Sequence, residues 1–194
     1  MSGENEAGAV GQSIPRLEVR EKTTGRAQYI ADMSRPGMLH GAILQSPYAH
    51  ARILNYDVSE ALAMPGVVDV LTGDDLGDGR MGAFIKDEHA IAKHKVRYVG
   101  EPVAAVAAET ETIARRAARL IQIEYEELAA VLTPDEGLAD DAPIIHEDLE
   151  DYIKVFPAVC GGNLVSRTEL SQGDLDKGFA EADFIVEGTY ETPA

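Results

Sequence analysis

An α+β fold is the class this sequence predicts. Three patterns point there: short β-favouring runs, helical stretches of only a few turns between them, and connections near hairpin length. The 194 residues suffice for one or two domains with a real core. A chain of this size buries about 70% of its unfolded surface.

Taken in order, Met1 to Gly11 is small and acidic, without the basic start and apolar stretch of a secretory signal, and reads as a flexible lead. Arg16 to Ala31 reads as extended, with a turn at Thr24-Gly25. Met38 to Leu44 and Ala51 to Val58 are two strands joined by a loop at Ser46-Pro47. Ser59 offers a helix cap, and Pro65-Gly66 stops that short helix. Val67 to Leu71 favours strand, and the Gly- and Asp-rich stretch from Thr72 to Gly82 must be loop. Val96 to Val99 and Val103 to Ala108 read as one strand interrupted by Gly100-Glu101-Pro102, with Pro102 at a strand start or edge. Gly100→Val is expected to disrupt folding through tight backbone packing there.

Thr110 caps the next helix, with Glu111 in its first turn and Arg115, Arg116 and Arg119 later, each on the favourable side of the helix dipole. Ile113, Ala117, Leu120 and Ile121 predict its buried stripe. Ile121, Ile123 and Tyr125 alternate with polar residues, as in a half-exposed strand. Beyond Val131 the chain predicts a long covering segment, with one helical turn at Asp135 to Leu138 and a loop at Pro157 to Gly162. Asp174 caps a last helix that places Leu175 and Phe179 on one face. Phe184, Val186 and Gly188 to Thr192 read as a final strand without an obvious partner, as in a neighbouring domain cut short.

The formal charge of −17 argues against nucleic acid and anionic membrane as partners, because both are polyanions. No apolar run is long enough for a membrane span. Between Arg119 and Lys154 there is no Lys or Arg, while acids accumulate. That pattern reads as a solvated face, with a docking patch for a basic subunit as the rival. Cys160 is the single cysteine, so no internal disulfide forms, which fits a reducing, cytoplasmic setting.

Candidate chemistry is thin. Gly77-Asp78-Gly79-Arg80-Met81-Gly82 matches a dinucleotide-binding pattern in letters, but no helix start follows and Asp78 would oppose a pyrophosphate. A calcium loop from Asp74, with Asp78 and Gly79 in place, fails at Leu76 and Ile85. His40, His50, His89, His94 and His146 show no zinc spacing, and a hydrogen-bonded structural role is expected at His40 and His50. Cys160 has no base nearby, and Ser46 with His50 lacks an orienting acid.

Two phrases carry more. Gln45-Ser46-Pro47-Tyr48-Ala49-His50-Ala51-Arg52-Ile53 and Val96-Arg97-Tyr98-Val99-Gly100-Glu101-Pro102-Val103-Ala104-Ala105-Val106 stand in order with Thr24 to Asp32, Pro36 to Gly41, Ala63 to Val67, Thr72 to Leu76 and Ile123 to Glu126. Gly162-Asn163 and Gly173-Asp174, with Phe179, Ala182 and Asp183, follow. Together they resemble the N-terminal part of the molybdopterin-binding large subunit of the molybdenum hydroxylases. That family includes xanthine dehydrogenase, aldehyde oxidase and aerobic carbon monoxide dehydrogenase.

The resemblance implies an α/β hammerhead at 20–132 after a flexible lead at 1–19, an acidic linker or covering segment at 133–170, and the start of a molybdopterin-binding domain at 171–194. It implies the non-catalytic portion of an oxidoreductase that hydroxylates an aldehyde, purine or N-heterocycle carbon, or oxidises carbon monoxide, with water-derived oxygen. The implied cofactors of the complete enzyme are molybdenum–molybdopterin in its cytosine dinucleotide form, and iron–sulfur clusters and FAD on partner domains or subunits of an oligomer. The family's glycine-rich pterin loops and catalytic glutamate map to no position here, so no catalytic, cofactor-binding or metal residue is assigned and the chain alone is expected to be inactive. Gln45 departs from the family's usual Arg, which removes a forked cation. The alternatives are a free-standing hammerhead binding or assembly module, and a small hydrolase using Ser46, His50 or Cys160.

Overall fold

The computed structural model describes residues 11–155, 161–190 and 192. Two three-stranded antiparallel sheets form its centre, one ordered β1-β5-β3 and the other β4-β2-β6. The strands are β1 (His40–Gln45), β2 (Ala51–Asp57), β3 (Val67–Thr72), β4 (Lys95–Val96), β5 (Pro102–Ala108) and β6 (Gln122–Glu127). The helices are α1 (Val19–Thr23), α2 (Ser59–Ala63), α3 (Glu111–Ala118), α4 (Pro134–Gly137) and α5 (Leu175–Ala180).

Small residues set how closely the layers approach. The central strand β5 buries Ala104, Val106 and Ala108, and α3 lays Ala114, Ala117 and Ala118 against that sheet. Ala61, Val70 and Ile121 complete this cluster. Val103 faces a second cluster instead, with Ala51, Ala92 and Val96. Leu44 and Ile123 pack against both clusters and join them into one core. A third, smaller cluster of Ile85, Leu149 and Tyr152 ties the later covering segment to the body. Two backbone bonds clamp it, Lys86 N–H to Ile153 O at 2.9 Å and Val155 N–H to Phe84 O at 2.9 Å.

The two informative phrases turn out to be the two crossings between the sheets. β1 and β2 are not hairpin partners: β1 pairs β5, whereas β2 pairs β4 and β6. Likewise, the expected interrupted strand is two strands in different sheets, β4 and β5. The crossings run side by side, with Ser46 N–H donating to Glu101 O and Gly100 N–H to Ser46 O, both at 2.9 Å. Pro102 opens β5, where its missing N–H is harmless. Gly100 is required for its φ of +93°, not for tight packing; an added Cβ would find only the Gln45 amide nitrogen, at 3.9 Å.

Several local expectations hold. Thr110 Oγ1 caps α3 by accepting from Ile113 N at 3.2 Å, and Asp174 caps α5 by accepting from Lys177 N at 3.0 Å. The turn at Thr24-Gly25 is present, with Gly25 at φ +70°. Others need correction. The stretch around it folds as α1 rather than extending, because Thr24 N–H and Gly25 N–H close onto the carbonyls of Arg20 and Lys22. Ser59 is the first residue of α2 rather than its cap; Val58 holds the cap position, and the Asp57 carboxylate before it accepts from both Ser59 N and Ser59 Oγ. The buried stripe of α3 is rotated toward Ala114 and Ala118, and Leu120 stays exposed. Phe184 to Tyr190 forms no strand, since no described strand lies beside it to take its hydrogen bonds. Most of the expected Pro157 to Gly162 loop, with Cys160, lies outside the described residues.

Candidate functional site

The most developed polar ground lies where β4, the 77–94 loop and the covering segment meet. Lys95 on β4 stands opposite Arg52 on β2, and Arg52 stands opposite Glu126 on β6. Two cations therefore stand side by side in this row, each with a carboxylate on its outer side. Arg52 pairs with Glu126 at 2.8 Å, and Lys95, only 8% exposed, pairs with Glu147 of the covering segment at 2.6 Å. A buried ammonium needs such a partner, so Glu147 fixes the segment over the sheet.

Arg97 lies two residues past Lys95 and organises the crossing. Its N–H donates to the buried Glu101 carboxylate at 2.5 Å, and its Nε to Ile145 O at 3.2 Å. Burial pushes the Glu101 carboxyl above its usual range, and the Arg97 N–H and cation pull partly against that shift. A cavity of about 420 Å³ opens on one side of Arg97, with His146 and Asp87 beside apolar walls from Val131, Leu138 and Leu164. Burial, then the Arg97 cation, hold the His146 imidazole down to about 4. On the other side lies a smaller groove lined by Arg52, Arg80, His89, Lys93, His94, Lys95, Arg97, Glu147 and Asp148.

The residues considered for chemistry do not assemble. Ser46 Oγ is occupied within its own turn, accepting from Tyr48 N at 3.0 Å and bonding Tyr48 O at 3.1 Å. His50 Nδ1 lies 2.6 Å from Ala129 O, the structural role expected, and its buried Nε2 has no partner among the described residues. Ser46 and His50 therefore make no nucleophile–base pair. His89 and His94 both reach the groove, but no group of three or more His, Cys, Asp or Glu among the described residues could hold a metal. Gly77 and Gly79 stand in open space, and no helix follows them, so this loop does not fit a dinucleotide phosphate. The acids of the covering segment are exposed; among them Glu147 holds Lys95, Glu136 accepts from Leu132 N and Thr133 N, and Glu169 pairs with Arg167. Among the described residues, no helix is long and apolar enough to cross a membrane.

In the sequence, the long acidic stretch masks the cationic groove. A signal for the groove is nevertheless present: Arg80, Lys86, Lys93, Lys95 and Arg97, with His89 and His94, crowd into 18 residues of an acidic chain.

Residues 24–129, which hold both sheets and both crossings, match the family described as aldehyde oxidase and xanthine dehydrogenase, a/b hammerhead domain. The chain belongs to that family. It is 41% identical to a probable xanthine dehydrogenase subunit of Bacillus subtilis (strain 168), over 92% of this chain and 22% of that protein. It is 36% identical to the nicotinate dehydrogenase large molybdopterin subunit of Eubacterium barkeri, over 94% of this chain and 40% of that one. Quinoline 2-oxidoreductase from Pseudomonas putida 86 superposes with a TM-score of 0.74 at 38% identity, covering 92% of this chain and 22% of that one. Reconstituted CO dehydrogenase from Oligotropha carboxidovorans gives 0.67 at 36% identity, covering 73% and 18%. The chain thus corresponds to the hammerhead region of molybdenum hydroxylase large subunits and spans less than half the length of these relatives. The Gly-Glu-Pro crossing and the Ser46 turn are where the family's phrases meet in space.

Proposed function

We propose that this chain is the N-terminal, non-catalytic part of a molybdenum hydroxylase that oxidises an aldehyde, purine or N-heterocycle carbon, or carbon monoxide, with water-derived oxygen. The observation that carries the reading is the match of both sheets, crossings included, to the hammerhead of such large subunits. In the complete enzyme, molybdenum–molybdopterin, in its cytosine dinucleotide form, supplies the hydroxylating chemistry. Iron–sulfur clusters and FAD on partner domains or subunits take the electrons, in a cytoplasmic oligomer. This chain contributes no catalytic, cofactor-binding or metal residue; it braces the neighbouring domains and shapes an approach to them.

The proposed organisation is a flexible lead at 1–19, the hammerhead at 20–132, an acidic covering segment at 133–170, and the first part of a molybdopterin-binding domain at 171–194. The exposed apolar side chains of the last stretch support a packing role: Phe184 is 90%, Val186 88% and Tyr190 91% exposed. The test is to purify the native assembly carrying this chain from its source. The assembly should hold molybdenum in proportion to this chain and move 18O from labelled water into a purine, aldehyde or N-heterocycle, or into carbon dioxide from carbon monoxide. An assembly without molybdenum would remove the proposal.

A further inference from the structure

We propose that the groove bounded by Arg80, Lys93 and Arg97 is a binding site for one oxyanionic group, a carboxylate or a phosphate. The inference stands on the groove's geometry and does not rest on the enzymatic reading above.

Charge is the first observation. Five cationic side chains and two carboxylates line this groove of about 250 Å³, in a chain whose formal charge is −17. The pairing of those cations is the second. Arg52 is matched by Glu126 and Lys95 by Glu147. Lys93 reaches Asp78 at 2.8 Å, but Asp78 is 89% exposed, so that pair is screened by solvent and readily exchanged. Arg80 and Arg97 have no carboxylate partner among the described residues.

Both guanidinium groups are nevertheless held in place. Arg80 lies over the Tyr152 ring, 4.6 Å from its centroid, and its Nη1 donates to Asp87 O at 3.4 Å. Arg97 is anchored by Nε to Ile145 O, with a long contact from Nη1 to Lys95 O at 3.5 Å. The Nη2 group of each makes no hydrogen bond among the described residues, although a guanidinium carries five N–H donors. Positioned, half-buried guanidinium forks with uncommitted donors match the planar oxygens of carboxylate and phosphate. His89 also lines the groove, where burial and then the Arg80 cation hold its imidazole below its ordinary value while a bond to the Gly79 backbone pulls the other way.

The test follows the melting temperature of the purified protein against inorganic phosphate and, separately, acetate, with sodium chloride holding ionic strength constant. A saturable rise with at least one probe is expected. Arg97→Gln should shift its midpoint to at least tenfold higher concentration, and Arg115→Gln, at an exposed α3 position that does not line the groove, should not move it. Should Arg97→Gln fail to fold, Lys93→Gln decides, with a several-fold shift expected. A rise with phosphate alone identifies a phosphate site; a rise with acetate alone identifies a carboxylate site. No saturable rise with either probe, or an unshifted midpoint in the folded variant, overturns the proposal.

Discussion

The sheet-bearing body and the stretch after residue 160 use the same local devices with different results. α3 is capped by Thr110 and buries three alanines; α5 is capped just as well by Asp174 and buries none. Ile123 and Tyr125 become the inner face of β6, with Ile121 buried just before it, while Phe184 and Val186 alternate and stay exposed. Caps and alternation choose a local conformation; stability comes only when a second element covers the apolar face.

Paired substitutions sharpen that contrast. The largest difference is expected between two glycines. A Cβ at Gly73 would collide with the backbone carbonyl of Ala92 and lie 2.5 Å from Lys93 Cα, whereas at Gly178 in α5 it meets nothing within 4 Å. Gly73→Val should cost about 3 kcal/mol in denaturant unfolding, and Gly178→Ala should cost nothing. Equal behaviour would mean that the two regions form one cooperative core. Next, Val103→Ala, at a fully buried side chain, should lose roughly 1–3 kcal/mol, against a change within about 0.5 kcal/mol for Val186→Ala.

Removing the caps is a finer probe. Thr110→Ala should lower global stability by about 1 kcal/mol. Asp174→Ala should speed amide exchange within α5 and leave the main unfolding transition where it is. A drop in that transition with Asp174→Ala would show that α5 is docked on the body.

The mildest effect is one of pH. His146 titrates at about 4 in the fold and near 6.5 when unfolded. Between those values the unfolded chain holds more protons, so acidification destabilises the fold, and the loss is complete only below about 4. His146→Gln should flatten the melting temperature between pH 6.5 and 4 relative to the parent. The ring is half-exposed, so solvent screening keeps the slope modest. An unchanged slope would place the acid sensitivity on other groups, with the raised Glu101 carboxyl excluded because its ionisation acts in the opposite direction, costing stability as pH rises.

Much of the body was legible because its signals are local. Thr110, Pro102, Pro65-Gly66 and the alternation through Tyr125 each constrain a few neighbouring residues, and each is in its expected place. The groove was legible only as a crowding of cations between Arg80 and Arg97, not as a site. Arg80, Arg97 and Lys93 are separated by loops, and their closeness depends on how β4 lies beside β2 and on Tyr152 arriving from more than fifty residues away.

By itself the sequence determined the element types, the stops and the two family phrases, because φ preferences, caps and periodic burial act within a few residues of their source. Only the tertiary structure decided that β1 and β2 part into different sheets, that Ser46 and Glu101 bond across the gap, and that Arg80 and Arg97 stand without carboxylate partners among the described residues. Those outcomes rest on non-local pairing, where closing long loops is repaid by contacts that no short stretch of chain contains.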